Sequence, residues 1–130
     1  MGTTELMAVQ LGQRAEALRK LAAMVDDEDC RTSILRWAGD FEWLRKALLN
    51  WERSLAVVSE DKHRWKAREP GRPPSDSDQQ YRALMAGFQR LVSEMEAWRG
   101  AFEEECEFIK ELERITRWRF AQSRPYLRAV

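Results

Sequence analysis

Between residues 34 and 58 the apolar positions fall into two interleaved rows, each repeating every seven residues. Ile34, Phe41, Leu48 and Leu55 form one row; Trp37, Leu44, Trp51 and Val58 form the other. Spacings of three and four hold one helical stripe toward the same neighbour, so this stretch predicts a long helix with a coiled-coil-like seam, from about 29 to 65. Before it, Met7, Leu11, Leu18, Leu21 and Val25 predict a first helix over about 4–25. The run Asp26-Asp27-Glu28-Asp29 between them supplies an N-cap and places carboxylates at the positive end of the next helix dipole.

A third helical pattern runs over about 77–121. Tyr81, Phe88, Met95, Phe102 and Ile109 are seven apart, with Leu84, Leu91 and Trp98 in the second row. Ser77-Asp78-Gln79-Gln80 has capping-box spacing. The stripe loosens after Gly100, where Glu105 takes an apolar position and Cys106, Phe108, Leu112 and Ile115 widen it. The helix is therefore expected either to continue through Gly100 or to bend there, and to stop before Pro125. The strong break is 68–76, where Pro70, Gly71, Pro73 and Pro74 cluster.

The expectation is an all-α single domain over 1–130. It is an antiparallel bundle of three long helices, or four if the third breaks at Gly100. The first helix is about half as long as the others, which leaves apolar seam uncovered; self-association into a homo-oligomer is the simplest way to bury it.

On the second helix Trp37 and Trp51 lie about 40° apart at 100° per residue and belong to the seam. Trp43 points elsewhere. It packs under the first helix, sits exposed beside the notch at Gly39, or lies along the stems of Arg36 and Lys46. Tryptophan and arginine together are what partner-binding hot spots favour, so Gly39 and Trp43 are candidate contacts for a protein partner.

Composition changes this picture little. In 130 residues, 22 basic side chains balance 22 acidic ones, which argues against a surface wholly committed to nucleic acid or anionic lipid. Two local basic clusters stand out. One holds Lys62, Arg64, Lys66, Arg68 and Arg72 around Trp65; the other holds Arg114, Arg117, Arg119, Arg124 and Arg128 among Trp118, Phe120 and Tyr126. Trp118, Phe120 and Tyr126 form a second candidate protein-contact surface. Arg64, Lys66, Arg117 and Arg119 are the candidate phosphate contacts of the alternative reading, a small helical subunit of a nucleoprotein complex. Basic residues at helix C-termini also simply complement the dipole.

Catalytic chemistry is not expected. The single histidine, His63, has no neighbouring nucleophile, no glycine-rich phosphate loop occurs, and Glu103, Glu107 and Glu111 read as a solvated acidic face. Cys30 and Cys106 lack zinc-type spacing and read as reduced, mostly buried thiols. No cofactor or metal is implied. Neither a signal peptide nor an apolar run of the roughly 18 residues that a membrane span requires is visible, so a cytoplasmic, non-membrane protein is expected.

Residues 18–44, LRKLAAMVDDEDCRTSILRWAGDFEWL, resemble a pattern in short uncharacterised bacterial helical-hairpin proteins. In that pattern a segment like Leu18-Arg19-x-Leu21-Ala22 precedes an acidic turn, and a second helix carries residues like Arg31, Ile34, Ala38 and Phe41-Glu42. The resemblance implies a helical hairpin and no activity. Trp98-Arg99-Gly100 resembles the Trp-x-Gly turn of secreted helical hairpins handled by type VII systems, in that tripeptide alone; their tyrosine–acid signal has no counterpart after Tyr126. The reading that follows is a non-catalytic adaptor, inhibitor or oligomeric subunit. A helical chaperone or antitoxin is a further alternative.

Overall fold

Four helices carry the chain in a computed structural model that describes residues 2–60 and 76–128, with side chains at 2–56 and 77–123. They are α1 (Thr3–Met24), α2 (Glu28–Glu60), α3 (Asp76–Glu96) and α4 (Glu103–Arg128), with no strand among the described residues. No helix among them is long and apolar enough to cross a membrane. The predicted loop at 68–75 and the last turn expected of the second helix, 61–65, lie outside the described residues.

The acidic turn works through Asp27. Its carboxylate accepts the backbone N–H groups of Asp29 (2.9 Å) and Cys30 (3.3 Å), capping α2 at donors that have no helical partner. Arg31 then reaches back one turn and donates to the carbonyls of Val25 (2.9 Å) and Asp26 (3.3 Å), which tethers the end of α1 to the start of α2.

The two predicted rows on α2 are buried from Ile34 to Leu55, and the side chain of Val58 lies outside the described residues. On α1 Leu11 and Leu18 are buried and Met7 and Val25 pack against the core as expected, but the fully buried face is completed by small residues. It is Thr4, Ala8, Leu11, Ala15, Leu18 and Ala22, spaced four and three, while Leu21 points to solvent. Alanine at every seventh position lets α1 lie close to α2. At Gly12 an added Cβ would already stand 3.3 Å from Arg45 Cδ.

The helices pair in opposite senses. Thr4 reaches Glu52 and Arg19 reaches Glu42 between α1 and α2. Asp40 meets Arg90, and Ser54 meets Gln80, between α2 and α3. Tyr81 meets Phe120, and Glu96 meets Lys110, between α3 and α4. The Arg14 guanidinium on α1 lies 4.3 Å over the Phe108 ring of α4.

The expected third helix is two. It stops at Glu96, and a turn over 97–102 reverses the chain, with φ of 56° at Arg99 and 82° at Gly100. Successive left-handed residues cannot continue a right-handed helix, and Gly100 tolerates that conformation because it has no Cβ. The backbone N–H groups of Trp98 and Arg99 bond the carbonyls of Met95 and Glu96 (each 3.1 Å), satisfying the helix end. Two further boundaries shift. Ser77 lies inside the first turn of α3, buried, rather than at its cap. Pro125 does not end α4, which continues to Arg128.

Candidate partner-binding surfaces

The tryptophans divide by what their neighbours leave open. Trp37 is fully buried where the 97–102 turn closes over α2. Its ring meets Trp98 edge-on at 5.9 Å and Phe102 at 4.9 Å between centroids. Its indole N–H donates to Glu94 at 3.1 Å. Trp51 occupies the opposite end, 5.9 Å from Tyr81, which stacks on Phe120 at 3.9 Å with ring planes 9° apart. The Trp51 N–H is buried with no hydrogen-bond acceptor among the described residues.

Trp43 is half-exposed one turn from Gly39, on the side of α2 that faces α3 rather than α1. Its six-membered ring rests on α3 at Gly87, where an added Cβ would come within 3.1 Å of Trp43 Cζ3 and 3.3 Å of Leu44 Cδ2. Nothing stands within 4 Å of a Cβ built on Gly39. The missing side chain that seats Trp43 is therefore on α3, and the rest of the indole, 48% exposed, faces outward. Alongside it, Arg90 reaches Asp40 at 3.2 Å and Arg36 reaches Glu94 at 3.4 Å. The result is a half-exposed indole bordered by two ion pairs on the α2–α3 edge.

Trp118 on α4 is 61% exposed and is the most open tryptophan among the described residues. Phe120, proposed beside it, is half-buried in the stack with Tyr81 and serves packing. The side chain of Tyr126 lies outside the described residues, as do Arg64, Lys66, Arg124 and Arg128.

Three of the C-terminal arginines engage glutamates. Arg119 donates to both oxygens of Glu52 (3.0 and 3.3 Å), and Thr4 donates to the same carboxylate at 2.9 Å, so one glutamate ties α1, α2 and α4 together. Arg117 pairs with Glu113 at 2.7 Å and Arg114 with Glu111. The Arg114 hydrogen bond holds the Glu111 carboxyl below its ordinary range.

Cys106 is buried, with Sγ 4.0 Å from the Val92 carbonyl, and Cys30 is partly buried; both are free thiols. Burial pushes the Cys106 thiol up, the opposite of what a nucleophile needs. Among the described residues no group of three or more His, Cys, Asp or Glu side chains could hold a metal ion.

The sequence pattern passed over a further surface. Leu6, Val9, Leu21 and Met24 lie on the outside of α1, up to 78% exposed at Met24. Their spacing is helical and was legible, but a single-stripe reading of α1 mixed Leu21 with the core.

No protein-family model, curated protein or solved structure matches the chain.

Proposed function

We propose that this protein is a non-catalytic helical assembly or adaptor protein, acting through protein contacts and self-association in the cytoplasm. In this reading the four helices form one antiparallel bundle with coiled-coil-like heptad packing, and its outer apolar side chains are the working surfaces. The observation that carries it is the placement of large apolar groups outside an already filled core. Trp43 and Trp118 are held about half or more in solvent, while the nine other aromatic side chains among the described residues, Trp37, Phe41 and Phe88 included, are wholly or partly buried. A desolvated indole beside arginine is what strong protein contacts use most, and an exposed one is a cost unless a partner covers it.

The nucleoprotein alternative, through Arg64, Lys66, Arg117 and Arg119, has less support. Arg117 and Arg119 are each matched to a carboxylate within the chain, and phosphate would have to displace Glu113 and Glu52. No observation favours the chaperone or antitoxin alternative.

The test is capture of partners by the wild-type chain, the Trp43→Ala chain and the Trp118→Ala chain, with helicity checked by circular dichroism. Loss of a partner or of self-association in a folded variant supports the reading. Two folded variants that keep every contact would overturn these two surfaces. Retained nucleic acid that salt strips away would favour the nucleoprotein reading.

A further inference from the structure

The outward side of α1 carries the pattern of a helix that has lost its neighbour. Leu6, Val9, Gln13, Ala17, Leu21 and Met24 recur every three or four residues and are all exposed. They lie within about 60° of one line at 100° per residue, opposite the Thr4–Ala22 face that packs into the core. Apolar stripes on both sides of one helix indicate two partners. The core supplies one, and nothing among the described residues covers the other.

The stripe reads nearly the same from both ends. Val9 and Ala17 each lie four positions from Gln13, while Leu6 and Leu21, and Thr3 and Met24, match to within one position on either side of it. Two opposite charges lie on the same side of its midline: Glu5 about 100° from it near the start, and Lys20 about 40° from it, within the stripe, near the end. Neither has an ion-pair partner among the described residues, whereas Glu16 and Arg19 pair with each other at 3.5 Å. Glu5 and Lys20 are about 22 Å apart along the axis, too far to meet within one helix. Turning a second α1 end for end near Gln13 brings Glu5 within about one residue's rise, 1.5 Å, of Lys20 of the other copy, twice by symmetry. Gln13 falls close to the dyad, and its amide both donates and accepts, so two copies satisfy each other.

We propose that α1 pairs antiparallel with α1 of a second copy of this chain, centred close to Gln13, with Glu5 within reach of Lys20 across the dyad. This rests on the self-association reading and names its surface. One helix pair about 33 Å long is a short interface by the standard of stable dimers. The dimer therefore dissociates on dilution.

The experiment is sedimentation velocity over a wide concentration series on the full chain, Glu5→Lys, Lys20→Glu and the double exchange, with helicity and urea midpoints as folding controls. The wild type is expected to dimerise with increasing concentration, and each single exchange to weaken dimerisation about tenfold by setting like charges in opposition at two symmetric positions. The double exchange restores it, and an equimolar mixture of the two single variants forms a heterodimer. Restoration cannot come from helix stability, because the double variant keeps the lysine that opposes the dipole at the start of α1. A dimer unmoved by either exchange would overturn the α1 interface and leave self-association standing through another face. A monomer at every concentration would overturn both.

Discussion

Trp37 donates its indole N–H across the α2–α3 interface to Glu94, at 3.1 Å, with the ring wholly buried. Trp51, two heptads further along α2 and equally buried, has no such acceptor among the described residues. Two tryptophans of one heptad row are thus unequal in what they contribute. Replacing Glu94 by alanine strands a buried donor and is expected to lower stability by about 1–3 kcal/mol, with glutamine recovering most of the loss. Trp37→Phe is expected to be more destabilising than Trp51→Phe, since the second change also removes an unsatisfied N–H. Urea unfolding followed by circular dichroism measures all four; equal losses at the two tryptophans would refute the distinction.

Gly39 and Gly87 respond oppositely to added bulk. At Gly39 a Cβ meets nothing, so Gly39→Ala gains helix propensity and is expected to stabilise by about 0.5–1 kcal/mol. At Gly87 a larger side chain meets Trp43 and the buried Leu44, so Gly87→Leu is expected to cost about 1–3 kcal/mol and to push the Trp43 ring into water. Unfolding midpoints give the stabilities. A red shift of tryptophan emission that disappears in the Gly87→Leu, Trp43→Phe double variant identifies the displaced ring.

Glu52 joins three helices through Thr4 and Arg119. Glu52→Ala is expected to cost about 1–3 kcal/mol, more than Thr4→Ala or Arg119→Ala alone. Thr4→Ala and Arg119→Ala should combine non-additively in a double-mutant cycle, since both act on one carboxylate. Strict additivity would mean that the three groups do not form a network in solution.

The 97–102 reversal depends on two left-handed residues. Gly100→Ala is expected to destabilise by about 1–2 kcal/mol, because a Cβ in that conformation crowds the following carbonyl. Arg99→Gly removes the same strain and is expected to be neutral or stabilising. Thermal melts of the two variants moving in the same direction would contradict the turn geometry.

What the sequence determined by itself was helical character and the α2 seam, because a seven-residue period is a local property of the chain. Ile34 to Leu55 are buried as that period requires. The cap at Asp27 was equally local. The period could not reveal the reversal after Glu96: Phe102 and Ile109 keep the seven-residue count from Tyr81, although the chain turns back between Met95 and Glu103. Only the backbone at Arg99 and Gly100 decided for two helices. Likewise the alanines at 8, 15 and 22 carry too little apolar surface to mark a core face, and they became one because α2 lies against them. The seat of Trp43 was invisible for the same reason. It is made by Gly87, on another helix and more than forty positions away. Period and caps belong to neighbours in the chain, whereas burial belongs to whichever surface tertiary packing brings alongside.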